Sequence, residues 1–169
     1  MKFKNDFGRS MMEMILYLGL VVVLTASTLK MYADSVEKTR LVEFETTIDD
    51  LKENVNNYFL GRALPGDDGW TSFLNDAYKG SLYNPWGGNI TLTTGTIAAA
   101  PYNKMFYTTK LENLQQPQCI SVANAFVGKE AFAVNIGGTA LTGNNLNIGS
   151  IASECVDGTN TVTGYFYKE

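Results

Sequence analysis

A single carboxylate, Glu13, is the only formal charge in an apolar segment that runs from Ser10 to Leu29. As a helix, this segment would be about 30 Å long, which matches the hydrocarbon thickness of a bilayer. A carboxylate in such surroundings costs free energy unless a positive charge accompanies it. The chemistry that Glu13 indicates is therefore ion pairing with a cation that reaches it from outside the segment.

The other candidate pair is Cys119 and Cys155, the two cysteines of the chain. They are too far apart for a CxxC redox or metal motif, and both lie in a glycine- and asparagine-rich half that is typical of secreted proteins. The sequence predicts one disulfide between them, which would close a loop of roughly 37 residues and stabilise the fold by about 4 kcal/mol. Two unpaired buried thiols are the alternative.

Composition disfavours several classes of function. The 169 residues include no histidine, which removes the commonest general base and zinc ligand. The formal net charge is −4 and the basic residues are scattered, so no nucleic-acid partner is expected. Asp67-Asp68-Gly69 lacks the spacing of a calcium-binding loop and is predicted to form a turn. We expect no enzymatic activity, no metal site and no cofactor.

These residues need a long helix to position them. Glycine and proline are absent between Leu20 and Leu60, and apolar residues recur at steps of three and four, at Leu41, Phe44, Ile48, Leu51, Val55 and Tyr58. That spacing places them on one helix face, and charged residues cover the opposite, solvated face. Gly61 and Pro65 mark the end. We predict one helix from near Ser10 to Leu60, apolar all round in its first half and amphipathic in its second.

The rest of the chain predicts an α+β head in which a sheet covers the apolar face of this helix. Trp70, Trp86 and the tyrosines are expected in the core and in turns rather than in sugar contacts. A polar loop is predicted over Leu141–Ser150, at the surface. The expected helices cover residues 70–78 and 118–127, and the expected strands follow a turn within 83–95 and cover 103–111, 131–136 and 161–167.

Four features at fixed spacing connect the N-terminal residues to a known family. Lys2 and Lys4 precede Gly8, Glu13 follows five residues later, and an unbroken apolar run begins there. Together they resemble the class III signal of type IV pilins and pseudopilins. The turn sequence NPWGG is similar to one in pilin heads, and the distant cysteines favour type IVb. The resemblance implies a type IV pilin-like α+β fold, a long N-terminal helix packed on an antiparallel sheet head with one disulfide.

The resemblance also implies how such a chain is processed. A membrane prepilin peptidase would remove the leader, residues 1–8, by cutting between Gly8 and Arg9. Arg9 would become the first mature residue, the one that is N-methylated in the family, although Phe, Met or Leu is usual there. Residues 9–30 would span the membrane and later form the filament core, and residues 31–169 would form the head.

In the family, the matching glutamate acts in subunit assembly, and the resemblance carries this role to Glu13. The α-amino group freed at Arg9 of a neighbouring subunit, shifted by about 6 Å along the axis, would neutralise the carboxylate and fix the register. The Arg9 guanidinium is a second cation that could share the pairing. The alternatives are a carboxylate that reaches the headgroups or one that is favoured by the helix dipole.

The hypothesis is a structural subunit that polymerises into an extracellular type IV pilus. Its expected partners are other copies of itself, the prepilin peptidase, an inner-membrane assembly platform and, before assembly, the membrane. Basic residues flank the span evenly, so the predicted disulfide places the head in the periplasm before assembly. The alternatives are a pseudopilin of a type II secretion system, a minor tip pilin, and a membrane-anchored binding protein that keeps residues 1–8.

Overall fold

The computed structural model describes the backbone of residues 6–95 and 106–168, together with the side chains there apart from those of residues 6–10 and 67–68. The chain forms two units, Met1–Thr39 and Arg40–Glu169. The elements of the described part, in chain order, are α1 (Asp6–Tyr58), α2 (Asp67–Tyr78), β1 (Ile90–Thr94), β2 (Phe106–Leu114), α3 (Gln116–Gly128), β3 (Ala133–Ile136), β4 (Thr139–Thr142), a 3₁₀ turn (Gly143–Asn145), α4 (Ile148–Glu154) and β5 (Asn160–Tyr167).

Helix α1 confirms the periodicity of the sequence. Within the second unit, its residues Phe44, Ile48, Leu51 and Val55 are at most 1% exposed. They recur on one face and bury it, as an amphipathic helix must. The helix ends at Tyr58, two residues before the predicted end, and the chain turns at Gly61, whose φ of +70° favours glycine.

In the described part of the chain, five strands form one antiparallel sheet in the order β1-β2-β5-β3-β4. The hairpin between β3 and β4 closes through Gly137 and Gly138, with Ile136 paired to Thr139. Both glycines have positive φ, +58° and +103°, which a two-residue hairpin turn of this hand requires. Strand β5 lies in the middle of the sheet, so it joins the hairpin to β2.

The core of the second unit lies between one face of this sheet and the helices α1 and α3. The Phe126 ring of α3 is fully buried and lies 5.5 Å from the ring of Phe44 on α1. On the sheet side, a Cβ at Gly164 would lie 2.8 Å from the Phe126 ring, so only glycine allows α3 to approach this closely. The aromatic packing continues through Trp70 and Tyr107, whose ring centroids are 6.0 Å apart.

Two local predictions differ from the structure. The polar loop predicted over Leu141–Ser150 is wrong, because the segment holds the end of β4, the 3₁₀ turn and the start of α4. The side chain of Asn147 caps α4 by accepting a hydrogen bond from the Ser150 backbone N–H at 3.0 Å. The turn predicted at Asp67-Asp68-Gly69 is the first turn of α2. Glycine and asparagine concealed α4, and aspartate and glycine concealed the first turn of α2, since these residues favour turns and helix caps alike.

The other elements lie close to their predicted ranges. Helices α2 and α3 and strands β1, β3 and β5 occur where the pattern places them, with ends that shift by a few residues. The second predicted strand began at residue 103, but residues 103–105 lie outside the described part. Strand β2 continues past the predicted end to Leu114 with a register shift between Leu111 and Leu114. The fold class is α+β, with a long N-terminal helix and one antiparallel sheet.

Candidate functional site

The first unit carries the apolar stem, which we define as residues 11–32 of α1. The large apolar side chains of the stem are between 42% and 72% exposed. Among the described residues, one helix, within Met11–Tyr58, is long and apolar enough to cross a membrane. Since an apolar surface of this extent is rarely left in water, the stem requires lipid or other protein around it.

Glu13 lies near the start of the apolar stem and is exposed. The ion pairs among the described side chains join Lys52 to Glu130, Lys110 to Glu112 and Lys129 to Asp49, and none includes Glu13. Gly8 and Arg9 belong to the first turn of α1, and the Arg9 side chain lies outside the described part. A carboxylate in this position is available to a cation from another molecule once lipid or protein surrounds the stem.

Three hydroxyl groups of the stem bond to backbone carbonyls of their own helix. Thr25 donates to the carbonyl oxygen of Val21 at 2.9 Å, and Ser27 donates to that of Val23 at 2.8 Å. Thr28 makes the same bond one turn back. These bonds satisfy the hydroxyls inside an apolar environment, where an unpaired polar group is costly. Sequence reasoning missed them, although serine and threonine in an apolar helix are the signal.

The predicted disulfide is present. Cys119 of α3 and Cys155 at the end of α4 are bonded, with Cα atoms 5.9 Å apart. The Gln116 side chain donates to the carbonyl oxygen of Cys155 at 2.9 Å. The buried side chain of Asn160 donates to the carbonyl oxygens of Val156 and, across the sheet, of Leu114. The disulfide and these bonds fix the C-terminal turns to α3 and β2.

A cluster of charges joins α1 to the end of α3 within the second unit. The Lys129 ammonium lies 2.5 Å from a carboxylate oxygen of Asp49, and this hydrogen bond raises the pKa of Lys129 above its usual value. Lys52 donates to the backbone carbonyl of Lys129 at 2.9 Å and lies 5.9 Å from the ring centroid of Phe166. A cation at a helix C-terminus is favourable, so the cluster stabilises the contact between the two helices.

The described residues hold no group of three or more His, Cys, Asp or Glu side chains that could bind a metal ion. The perturbed groups of the second unit have structural causes. The hydrogen bond to Asp76 raises the pKa of Tyr58, and burial raises the pKa of Tyr78. These tyrosines pack α1 against α2, and their surroundings are those of a structural contact.

The chain thus combines an apolar stem that carries one acidic residue with a disulfide-closed α+β head. The family model described as PilS N terminal matches residues 70–165, which is more than half of the chain. The chain belongs to the PilS N-terminal family. No curated protein matches.

Solved pilin structures resemble this pilin in fold. The crystal structure of a type IVb pilin from Salmonella typhi has a TM-score of 0.54 at 20% identity, over 75% of this chain and 97% of that one. The crystal structure of TcpA, a type IV pilin from Vibrio cholerae El Tor biotype, has a TM-score of 0.55 at 12% identity, over 76% and 99%. The NMR structure of the type IVb pilin PilS from Salmonella typhi has a TM-score of 0.51 at 20% identity, and the match covers 72% of this chain and 92% of that one.

The family and the fold together make the chain a type IV pilin of the type IVb class, a structural subunit. The resemblance drawn from the N-terminal residues and the cysteine pair is confirmed. The family match lies wholly within the head of this pilin. The roles of Gly8, Arg9 and Glu13, and the division into residues 1–8, 9–30 and 31–169, stay predictions.

Proposed function

We propose that this pilin is made as a prepilin, cut between Gly8 and Arg9, and polymerised into an extracellular filament. The observation that carries the proposal is the apolar stem, whose side chains no part of its own unit covers. Before assembly lipid covers the stem, which holds the pilin in the inner membrane with its head in the periplasm. After assembly the stems of other copies replace the lipid, and residues 9–30 form the core.

The exposed carboxylate of Glu13 supports the same proposal. In a core made of stems, Glu13 is far from water, and each copy supplies two cations at Arg9, its freed amino terminus and the guanidinium group. One helical turn separates the two residues, so an axial shift of about 6 Å brings the amino group of one copy to the carboxylate of the next. The prepilin peptidase and an inner-membrane assembly platform are the further partners that this route requires.

The mature N-terminus tests the cleavage. The full-length chain is expressed in cells with and without a prepilin peptidase, and the intact protein is weighed by mass spectrometry. We expect the protein to start at Arg9 only when the peptidase is present. The added mass of a methyl group on Arg9 would show that an arginine at this position, where the family usually has Phe, Met or Leu, can still be methylated. An intact Met1 in both strains indicates a simple membrane anchor, and a start at Ser27 or Thr28 indicates an ordinary secretory protein.

The Glu13→Gln variant tests the pairing. We expect normal cleavage and membrane insertion but a filament yield at least about tenfold lower. The reason is that a loss of about 1.4 kcal/mol in each contact between subunits lowers the association constant of that contact tenfold. Glu43→Gln is the matched control, since Glu43 is an exposed glutamate of α1 outside the apolar stem. Filament yield is measured by electron microscopy and by immunoblotting of sheared fibres. Equal yields from the two variants would contradict the role of Glu13.

A further inference from the structure

The outer face of the sheet, opposite α1 and α3, carries a groove that the assembly function does not use. Strand alternation puts Ile90, Leu92 and Val162 in the core and turns the residues between them outward. The register pairs Thr91 with Lys110 and Thr93 with Thr108 across β1 and β2, and Lys110 with Thr163 and Thr108 with Tyr165 across β2 and β5. Eight residues line this groove, and we define the outer groove by the six of them that lie on the outer face within these register pairs, Thr91, Thr93, Thr108, Lys110, Thr163 and Tyr165; Thr94 and Gly95 line its remaining edge.

The floor of the outer groove consists of hydroxyl groups. The hydroxyl oxygens of Thr93 and Thr108 are 2.6 Å apart and share a hydrogen bond. Thr108 is 6% exposed, whereas Thr91 at the rim is exposed and Thr163 is half-buried. Each threonine hydroxyl both donates and accepts, so the groove offers a ligand donors and acceptors together.

Aromatic rings form one end of the outer groove. The Tyr165 ring lies 6.2 Å from that of Phe106 and 6.1 Å from that of Phe132. Phe132 in turn stacks on Tyr167 with ring centroids 4.2 Å apart. Phe106 is buried and the other three rings are half-buried, which is unusual on the solvent face of an antiparallel sheet because that face is ordinarily polar. The Tyr165 ring lies beside the hydroxyl floor and adds an apolar surface to it.

The charge of the outer groove limits its ligand. Lys110 is the charged residue among those that line it, and its ammonium lies 2.5 Å from the carboxylate of Glu112. A polyanion or a nucleic acid is held by several unpaired lysines or arginines, which these residues do not supply. A purely apolar ligand would exclude water from the hydroxyls of Thr91 and Thr163 and offer them no hydrogen bond in return.

We propose that the outer groove binds a neutral saccharide. A pyranose ring has an apolar face of C–H groups and a rim of hydroxyls, which match the Tyr165 ring and the threonine floor respectively. The ring would lie against Tyr165, with its hydroxyls bonded to Thr91, Thr163 and the free donors of Lys110. This is the pattern of small-ligand sites, in which apolar contact gives affinity and a few placed polar groups give orientation.

The test uses the full-length pilin in a detergent without a sugar headgroup, because maltoside detergents would compete. Saturation-transfer difference NMR is recorded with three neutral probes, maltotriose, lactose and N,N′-diacetylchitobiose, and with a heparin hexasaccharide as the anionic probe. We expect transfer to the ring C–H protons of at least one neutral probe and none to heparin. No transfer to any of the three neutral probes, or stronger transfer to heparin, would overturn the proposal.

Variants of residues in the outer groove distinguish saccharide binding in the groove from saccharide binding elsewhere on the pilin. Tyr165→Leu is expected to lower the association constant about tenfold, whereas Tyr165→Phe keeps the ring and stays within about threefold of the wild type. Thr163→Val removes one hydroxyl at nearly constant volume and is expected to weaken binding about fivefold. Thr139→Val, an exposed strand threonine outside the groove, is the matched control. Thermal unfolding and an intact disulfide establish that each variant is folded.

Two outcomes of the variant series would assign the surface differently. Transfer signals that are equal in the wild type, Tyr165→Leu and Thr163→Val would place the saccharide elsewhere and refute the groove. A Tyr165→Leu variant with unchanged transfer signals but a reduced filament yield would show that a second copy of the pilin covers this face. The detergent measurement does not depend on filament formation, so it tests the saccharide site even if the assembly proposal fails.

Discussion

Gly164 shows how one residue sets the distance between helix α3 and the sheet. Its position in the central strand β5 lies directly under the ring of Phe126 in α3, and a Cβ there would approach three ring atoms to 2.8–2.9 Å. Contacts that short do not occur without displacement, so any side chain would push α3 away from the sheet. The same helix carries Cys119, so the displacement would also strain the position of the disulfide.

The Gly164→Ala variant is therefore expected to be destabilised by about 1–3 kcal/mol, the usual cost of overpacking a core. Gly128→Ala is the control, because nothing lies within 4 Å of a Cβ at the end of α3 and alanine favours a helix. Urea unfolding of both oxidised proteins measures the difference. A Gly164→Ala variant as stable as the control would show that α3 is free to shift.

Residue type alone pointed to some of the important residues and not to others. Glu13 and the cysteine pair stand out in the sequence because a lone acid in an apolar run and two cysteines in a secreted-type composition are each informative alone. Gly164 does not stand out, since its role depends on which residue of α3 lies above it. The hydroxyl bonds of Thr25 and Ser27 were equally hidden, because serine and threonine adopt several local bonding patterns.

The disulfide acts at the scale of elements, since it joins α3 to the end of α4. The Cys119→Ala/Cys155→Ala variant is expected to lose about 4 kcal/mol of stability, the chain-entropy value for a loop of about 37 residues. Denaturant unfolding with and without a reducing agent measures the loss. The reducing agent should destabilise the wild type and leave the variant unchanged. A wild type that unfolds at the same denaturant concentration when reduced would contradict this estimate.

The ion pair between Lys129 and Asp49, which joins the end of α3 to α1, is expected to depend on pH. Because the folded protein raises the pKa of Lys129, the ion pair with Asp49 contributes stability below pH 10.5, and this contribution disappears as the pH rises through the higher folded value. We expect Asp49→Asn to cost about 0.5–1 kcal/mol at pH 8 and less at pH 11. Unfolding at both pH values measures this, with Glu53→Gln as the control. If Asp49→Asn lowers the free energy of unfolding equally at pH 8 and at pH 11, the ion pair between Asp49 and Lys129 does not contribute the expected stability.

The elements themselves were predictable to different degrees. Helix α1 and strand β5 follow from apolar periodicities that extend over many residues. Strand β4 and helix α4 were missed because they are short and lie in a glycine- and asparagine-rich segment, where the N-cap Asn147 resembles a loop residue. The sheet order was not predicted at all, since periodicity assigns a residue to a face but does not choose the neighbouring strand.

At the scale of the whole molecule, the chain consists of two units with opposite surface requirements. The first unit carries the apolar stem, and the second buries its own core, including Phe44, Phe126 and Trp70. A stable core inside the second unit means that the head does not need the stem to fold. The stem exposes its large apolar side chains and therefore needs lipid or other protein around it.

A fragment of residues 33–169, which lacks the whole apolar stem, is therefore expected to be soluble without detergent and to unfold cooperatively. Its thermal midpoint should lie within about 4 °C of that of the full chain in detergent, a difference below about 1 kcal/mol for a domain of this size. Calorimetry and analytical ultracentrifugation measure the midpoint and the mass. Aggregation of the head, or a broad non-cooperative transition, would show that the stem contributes to the folding of the second unit.

The central position of β5 has a consequence for synthesis and export. Strands β2 and β3 both pair with β5 and are joined only through it, so they stay apart until residues 160–167 emerge. A chain that still lacks β5 therefore leaves one edge of β2 and one edge of β3 unpaired, and such edges are binding sites for chaperones and proteases. We therefore expect a translation product truncated before Asn160 to leave its sheet open and to be degraded rather than accumulate, because β5 is the strand that completes the sheet.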